Sequence, residues 1–461
     1  MMTINEFNEC TQKLRSSSMF YMSLGSKELF HSNFLYWLSI INFDVFLSVM
    51  HNLANVEKFW WENDFKYSLN NIEVRREFHN FDLSIYINVG NKTRRNGDSY
   101  DVWLPVLILE NKMKSLAYQD QLDGYLGKVY EEWCDFYKRN IEKQWSKDRV
   151  SFVVLSLIKP KYLSNSKYNN IECKWAIKDY DVLSNILRDQ IVRIERDFDK
   201  KIIEDYCSFI KALFDLANND WTISPKDYYI SKVCPKDSED VEEKSKMEQL
   251  VELRIYDIRE KIIYDQLVNL LQQKLVQEDL ISKLKIEVER YSKDSYNTYK
   301  TASQSTNLPK IICNTNFFHS VGLFEAIYLI RGRRTAKDEP FFLTIQIQGN
   351  QYTHGISRKN ILKIESQTQI VEGKRKNKEK SKKINTINGL TDEGKVKLKF
   401  YIDIEDSNNK FGKYGDSFIY TKRDIGNEFT IEVLIDTVVK NMIQIVNKKK
   451  DLNESTMFNN G

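Results

Sequence analysis

The strongest constraint on this fold is a nearly unbroken apolar run over residues 102–109. Such a run, without alternating polar positions, is typical of a strand that is buried on both faces of its sheet. Pro105 lies inside the run, and proline is expected only near the start of such a strand because it cannot donate a ladder hydrogen bond. A doubly buried strand requires cover on both sides of the sheet, so the sequence predicts an α/β fold.

The residues around this run show helical and strand periodicities in a definite order. The predicted elements are helices over 26–56, strands over 72–87, a polar turn at 90–98, the buried strand, a helix over 115–138, a strand over 152–158, and helices over 179–192 and 196–217. Helix, three strands, helix and strand together predict an α/β sandwich with a central mixed sheet. Residues 1–220 are therefore predicted to form one domain.

The second half of the chain has a different pattern. Apolar residues follow a helical stripe from about residue 250 to 291, and a segment rich in Ser, Thr and Asn at 292–307 is typical of a linker. The remaining predicted elements are strands at 341–347 and 396–404 and a helix at 431–446. We therefore predict a helical connector and linker over 221–307, and an α+β domain over 308–461 for target recognition, sensing or assembly.

Composition excludes several classes of protein. The 461 residues include 69 Lys and Arg against 65 Asp and Glu, and the net charge of +4 is too small for the whole chain to be a basic coat for nucleic acid. Six cysteines without a C-x-x-C motif and five histidines without a zinc-binding spacing argue against a disulfide framework and a zinc enzyme. A polar, acidic N-terminus and the lack of a long apolar stretch predict a cytoplasmic protein without a signal peptide or a membrane segment.

Polar side chains that suit phosphodiester chemistry follow the buried run directly. Glu110 and Lys112 are two residues apart, so strand alternation places them on the same face of the sheet. Asp82 begins the preceding strand, and pairing through the turn would bring it to Glu110 at one sheet edge. Two carboxylates beside a main-chain carbonyl suit Mg²⁺ or Mn²⁺, and a neighbouring lysine can orient water and stabilise charge on a phosphate. These parts predict a hydrolytic phosphodiester site.

These residues resemble the motif set of the PD-(D/E)XK nuclease superfamily. Asp82 corresponds to the aspartate of the motif, and Glu110 and Lys112 form its E-x-K. Gln121 and Tyr125, on the next predicted helix, are similar to the Q-x-x-x-Y element of the RecB-like branch. The predicted order of elements is also similar to the αβββαβ core of the superfamily, which is followed here by the helical connector and the α+β domain.

The resemblance implies a role for each of these residues and for two more. Asp82 and Glu110 would bind the metal, and Glu28 on the first helix would help directly or through water. Asn111, beside Glu110, is a further candidate metal ligand. Lys112 would position the attacking water. The Q-x-x-x-Y pair would orient the site or bind the phosphate backbone, and Mg²⁺ or Mn²⁺ would be the cofactor.

Simpler interpretations stay open for several of these residues. The E-x-K residues could form a surface ion pair at a strand end, and the Q-x-x-x-Y pair could serve packing alone. Phe81 stands where the superfamily has its proline, Asp101 is a rival acid, and Glu77 could also face the site. His31, near Glu28, is expected to be a helix-surface histidine rather than a base.

Two basic segments are candidates for contact with nucleic acid. Arg94 and Arg95 lie in the polar turn beside the predicted site, where a phosphate backbone would pass. Lys374, Arg375 and Lys376 begin a segment at 374–383 with seven positive charges and one negative charge. That segment could bind phosphates, or it could be a solvated loop.

Together these features predict a metal-dependent nuclease that hydrolyses phosphodiester bonds. DNA is favoured over RNA, internal cleavage is expected, and defence against phage is suggested by analogy. A homodimer would follow if one active site per chain cuts both strands of a duplex. Two alternatives stay open: an inactive nuclease fold that binds nucleic acid or protein, and an RNA-directed nuclease.

Overall fold

The computed structural model describes residues 2–23, 28–64, 69–93, 98–113, 119–137, 149–159, 165–169, 171–233, 241–279, 287–290, 310–316, 323–329, 341–358, 412–414 and 418–448. The chain divides into two compact units. The first comprises Met1–Thr222 and Glu248–Arg259, and the second comprises Ile223–Met247 and Glu260–Gly461. No helix in the described part of the chain is long and apolar enough to cross a membrane.

The first unit is a five-stranded sheet with α-helices packed against it. Its α-helices are α1 (Ile4–Ser16), α2 (Ser18–Ser23), α3 (Glu28–Ile41), α4 (Phe43–Ala54), α5 (Trp60–Asp64), α6 (Gln119–Tyr137), α7 (Tyr180–Gln190) and α8 (Asp197–Asp215). Its strands are β1 (Ile72–Phe78), β2 (Phe81–Thr93), β3 (Ser99–Lys112), β4 (Ser151–Ser156), β5 (Ser166–Tyr168), β6 (Ile171–Cys173) and β7 (Ala176–Asp179). The central sheet has the order β1-β2-β3-β4-β7, while β5 and β6 form a separate pair.

This sheet is mixed, as the sequence predicts. β1, β2 and β3 pair antiparallel, whereas β3, β4 and β7 pair parallel. With α3 before them and α6 between β3 and β4, these elements give the predicted αβββαβ order. The predicted α/β fold class is confirmed.

β3 is the doubly buried strand that the apolar run predicts. Residues 104–112 are all buried. Glu110 contacts α6 through Gln121, and its neighbour Asn111 contacts α3 through Ser32. Because adjacent strand residues point to opposite faces, α3 and α6 cover the two sides of the sheet.

Pro105 lies in the interior of β3, so the expectation that it needs a position near the strand start is wrong. The register between β2 and β3 shifts between Ile85 and Tyr86, which leaves Val106 as an extra residue in β3. Such a bulge interrupts the hydrogen-bond ladder, and proline is tolerated there. The carbonyl of Pro105 accepts a 2.9 Å hydrogen bond from Nε1 of Trp133.

The parallel strands end in one row at the edge of the sheet that carries the predicted site. Lys112 of β3 pairs with Ser156 of β4, and Ser156 pairs with Asp179 of β7. The side chain of Asp179 then caps α7 by accepting a 2.9 Å hydrogen bond from the amide of Val182. Tyr180, the first residue of α7, therefore begins at the same edge as Lys112.

The second unit contains helices and a seven-stranded sheet. Its helices are α9 (Tyr229–Val233), the first part of α10 (Val241–Glu252), most of α11 (Tyr256–Gln277) and α12 (Ile431–Lys448). Its strands are β8 (Glu287–Arg290), β9 (Lys310–Asn316), β10 (Leu323–Leu329), β11 (Phe341–Gln348), β12 (Gln351–Arg358), β13 (Gly412–Tyr414) and β14 (Phe418–Asp424), in the sheet order β13-β14-β12-β11-β10-β9-β8.

The helical stripe expected to reach residue 291 ends earlier. α11 ends at Gln277, and residues 287–290 form β8, which pairs parallel to β9. Ile286 and Val288 alternate with charged residues, and this period of two favours a strand over a helix. The predicted linker at 292–307 and strand at 396–404 lie outside the described residues. The predicted domain boundaries stay predictions.

Candidate active site

The start of β2 and the end of β3 bring Asp82 and Glu110 together. Leu83 pairs with Leu109, so Asp82 lies across from Glu110 in the antiparallel ladder. The backbone amide of Asn111 donates a 2.6 Å hydrogen bond to Oδ2 of Asp82. The two carboxylates therefore share one edge of the sheet, as the predicted strand pairing requires.

Glu110 and Lys112 form a buried ion pair on the α6 side of the sheet. Nζ of Lys112 lies 2.6 Å from Oε1 of Glu110, and their side chains are 8% and 1% exposed, respectively. The alternative of a surface ion pair is therefore wrong for these two residues. Oε2 of Glu110 is buried without a hydrogen-bond partner in the described part of the chain.

Gln121 and Tyr125 of α6 connect Glu110 to the turn between β1 and β2. Nε2 of Gln121 donates to Oε1 of Glu110 at 2.7 Å and to the hydroxyl of Tyr125 at 2.6 Å. That hydroxyl donates a 2.7 Å bond to the carbonyl of Asn80, two residues before Asp82. The Q-x-x-x-Y spacing of one helical turn thus places both side chains in one chain of hydrogen bonds.

The side chain of Asn111 lies on the other face of the sheet, against α3. It is fully buried, and its Nδ2 donates a 2.6 Å hydrogen bond to Oγ of Ser32. Oδ1 of Asn111 is buried with no hydrogen-bond partner among the described residues. The side chain of Asn111 is therefore directed away from Glu110, and the metal ligand predicted beside Glu110, a main-chain carbonyl, stays a prediction.

Glu28 is the first residue of α3 and is half-buried. Its charge raises the pKa of Asp82 and of Glu110, which places it within electrostatic range of both. Ser32 follows Glu28 by one helical turn, and its Oγ donates to the carbonyl of Glu28 at 3.4 Å. Ser32 is a site residue that sequence reasoning missed, although its spacing of four from Glu28 puts both on one helix face.

The site gathers three carboxyl groups around one cation, Lys112. Burial, and then the charge of Glu110, raise the pKa of Asp82 to about 8. Burial also raises the pKa of Glu110, even though Lys112 opposes this shift. Burial alone would lower the pKa of Lys112, but Glu110, Glu28 and Asp82 together raise it. Lys112 is therefore held as a cation, and the carboxylates outnumber it.

The carboxylate oxygens of this site suit a divalent cation that takes only a small number of protein ligands. Carboxylate oxygens are the ligands that Mg²⁺ and Mn²⁺ prefer, and Mg²⁺ commonly takes one or two carboxylates and completes its shell with water and phosphate. Oε2 of Glu110, which has no hydrogen-bond partner among the described residues, is one such candidate metal ligand. Among the described residues, no three His, Cys, Asp or Glu side chains are grouped closely enough to hold a metal ion by themselves.

His31 is buried rather than on the helix surface, so that expectation is wrong. It is 1% exposed, and its Nδ1 lies 2.8 Å from the hydroxyl of Tyr206. Burial lowers the pKa of His31 to about 3, so the ring is neutral near pH 7. Its ring packs against Tyr180, Tyr206 and Phe209, since this face of α3 is turned to the core.

The two rival acids lie outside the Asp82–Glu110 pair. Asp101 is exposed and pairs with Asn91, and it precedes Glu110 by nine residues along β3, or roughly 30 Å of extended chain. Glu77 is exposed at the end of β1, with a left-handed backbone φ of 51°. The arginines Arg94 and Arg95 and the basic residues Lys374, Arg375 and Lys376 lie outside the described residues, so their roles stay predictions.

Comparison with known proteins gives one match. Residues 19–208 match a family model described as the PD-(D/E)XK nuclease superfamily. No curated protein and no solved structure gives a match. The matched region contains the Asp82–Glu110 pair, Lys112 and the Q-x-x-x-Y residues, while the assignment to the RecB-like branch stays a prediction. Over residues 19–208, the chain is therefore similar to the PD-(D/E)XK nuclease superfamily.

Proposed function

We propose that the protein is a metal-dependent nuclease that hydrolyses phosphodiester bonds within DNA. One observation carries this proposal. The half-buried carboxylate of Asp82 and the buried carboxylate of Glu110 lie at one sheet edge, where the amide of Asn111 bonds Asp82 and the ammonium of Lys112 lies 2.6 Å from Glu110. The match of residues 19–208 to a superfamily of nucleases supports the same activity.

Asp82 and Glu110 would hold the divalent cation, and Glu28 would help through a bound water; Mg²⁺ is the first candidate for the ion and Mn²⁺ the second. The bound ion would supply positive charge at the scissile phosphate. The protein's own contribution is to fix both carboxylates before substrate binds. The amide of Asn111 fixes Asp82, and Gln121 and Lys112 fix Glu110 through its Oε1.

Lys112 would act as a cationic hydrogen-bond donor and not as a general base. The surrounding carboxylates raise its pKa, so its ammonium stays protonated at neutral pH. A buried ammonium can orient the attacking water and stabilise the negative charge that develops on the phosphate. Burial likewise raises the pKa of Tyr125, so its hydroxyl stays protonated and continues to donate to the carbonyl of Asn80.

Cleavage by the full-length protein tests the proposal. Supercoiled plasmid DNA and a structured RNA are each incubated with Mg²⁺ or with EDTA, using wild type and Glu110→Gln. Glu131→Gln is the control, since Glu131 is an exposed carboxylate on the same helix as Gln121. Nicking of the plasmid that requires Mg²⁺ and is lost only in Glu110→Gln supports a DNA endonuclease.

The same assay separates the alternatives. Cleavage of the RNA alone would favour the RNA-directed nuclease. An inactive nuclease fold would cleave neither substrate, would bind DNA equally well with and without Mg²⁺, and would not respond to Glu110→Gln. In that case the protein would act through binding alone.

We further propose, from analogy with other nucleases, a cytoplasmic role in defence against phage. Expression of the wild-type gene would then lower plaque counts, and Lys112→Ala would restore them. Unchanged counts in both cases would contradict this role. The second unit is proposed to select the target, sense a trigger or mediate assembly, and a homodimer would supply the two active sites that a double-strand cut needs.

A further inference from the structure

Two cations beside the turn between β1 and β2 donate their hydrogen bonds to uncharged groups. Arg76 of β1 is exposed; its Nη1 donates to Oδ1 of Asn33, and its guanidinium carbon lies 4.8 Å from the ring centre of Tyr36. Lys128 of α6 is half-buried, and its Nζ donates a 2.8 Å bond to the carbonyl of His79. Neither forms an ion pair with a carboxylate within the described ranges.

The neighbouring arginine shows the contrast. Arg75 pairs with Glu73 at 2.6 Å, and its guanidinium lies within 6 Å of the rings of Phe78, Tyr86 and Trp103. Its charge is therefore compensated, and its side chain serves packing. Arg76 and Lys128 donate to neutral groups instead, so neither charge is taken up by a direct ion pair within the described ranges. Burial raises the pKa of Glu132, one turn along α6 from Lys128, and the charge of Lys128 is the smallest of the influences that oppose this shift.

Both cations lie at residues close in sequence or register to Asp82, on opposite sides of the sheet. Arg76 pairs with Leu83, the residue after Asp82, and its partner Asn33 follows Ser32, which binds Asn111. Lys128 binds the carbonyl of His79, and the next carbonyl accepts from Tyr125. The two cations therefore flank the edge at which Asp82 begins.

We propose that Arg76 and Lys128 bind the phosphate backbone of the nucleic acid on the two sides of the Asp82–Glu110 pair. This inference rests on the proposed nuclease function, because it places the scissile phosphate at that pair. An arginine held by an amide and an aromatic ring presents its remaining donors in a fixed plane, which suits two oxygens of one phosphate. The lysine supplies a point charge to a neighbouring phosphate.

Salt-dependent DNA binding tests this proposal without requiring cleavage. A short labelled DNA duplex is titrated with the full-length protein in EDTA at several NaCl concentrations, using wild type, Arg76→Gln and Lys128→Gln. Each variant should weaken binding by about two- to fivefold and reduce the slope of log K against log salt by about one. Arg76→Lys, which keeps the charge, should retain most of the slope.

Arg193→Gln is the matched control. Arg193 is also exposed, and its Nη1 donates a 2.6 Å hydrogen bond to an uncharged partner, Oε1 of Gln190. It lies after α7, however, and not beside the turn between β1 and β2. Its substitution should leave the slope unchanged. Thermal unfolding of each variant checks that the fold is intact.

The outcomes separate this inference from the proposed activity. A slope in Arg76→Gln and Lys128→Gln equal to that of wild type, or wild-type protein that binds no DNA, overturns the inference. If the wild-type protein cleaves plasmid and both variants bind DNA like wild type, this inference fails and the proposed nuclease activity stands. Reduced slopes in a protein that never cleaves would support the phosphate contacts and contradict the nuclease.

Discussion

The amide of Asn111 donates a 2.6 Å hydrogen bond to Oδ2 of Asp82, and this bond joins the start of β2 to the end of β3. Because the donor belongs to the main chain, the orientation of Asp82 is set by strand pairing. Side-chain substitution at position 111 leaves the donor in place. The site can therefore be tested by substituting the side chains themselves, which are Asp82, Glu110, Lys112, Gln121 and Tyr125.

Removing the charge of Asp82 should stabilise the fold at high pH in the absence of metal. An acid whose folded pKa is raised to about 8 contributes stability below pH 4, and this contribution is lost as pH rises towards 8. Asp82→Asn should therefore raise the free energy of unfolding by about 1–3 kcal/mol at pH 9 and by much less at pH 5. Urea unfolding in EDTA at the two pH values measures this. An equal change in the free energy of unfolding at pH 5 and pH 9 would contradict a raised pKa of Asp82.

Lys112→Met should destabilise the protein because it leaves Glu110 buried beside no cation. Breaking one partner of a buried ion pair costs about 3–5 kcal/mol in free energy of unfolding. The double variant Lys112→Met with Glu110→Gln should recover part of this loss, since no buried charge is then left unpaired. A loss in the double variant equal to the sum of the losses in Lys112→Met and in Glu110→Gln would show that the 2.6 Å contact carries no coupling energy. The single variant should also lower the cleavage rate by about 10²-fold or more.

Tyr125→Phe should weaken the connection between α6 and the turn before Asp82. The variant loses the bond to the carbonyl of Asn80 and one acceptor for Gln121. We expect a loss of about 1–2 kcal/mol in stability and of about tenfold in cleavage rate. Tyr168→Phe is the control, because its hydroxyl bonds the exposed carboxylate of Glu131 at 2.8 Å. A cleavage rate that is unchanged in Tyr125→Phe would show that Tyr125 contributes through packing alone.

The sequence predicts the arrangement of the site where simple periodicity applies. Strand alternation predicts Glu110 and Lys112 on one face, and their 2.6 Å contact confirms it. The apolar run predicts a strand covered on both faces, and α3 and α6 cover it. These predictions succeed because a period of two determines side-chain direction within a strand.

Other features depend on contacts between distant parts of the chain, which periodicity does not encode. The bulge at Val106 accommodates Pro105, and its position depends on the register against β2. Burial of His31 depends on α8, which supplies Tyr206. The hydrogen bond from Asn111 to Ser32 joins residues 79 positions apart and could not be predicted from either segment alone.

Calorimetric titration of Mn²⁺ into the full-length protein tests the central claim most directly. Wild type should bind the ion, release protons on binding because the pKa of Asp82 is raised, and bind more tightly at pH 8 than at pH 6. Asp82→Asn and Glu110→Gln should each weaken binding by about tenfold or more, and Glu131→Gln should not. Plasmid cleavage by the same preparations should follow the same order. Binding that is equal in wild type and in both site variants, or Mg²⁺-dependent cleavage that survives in them, would contradict the account.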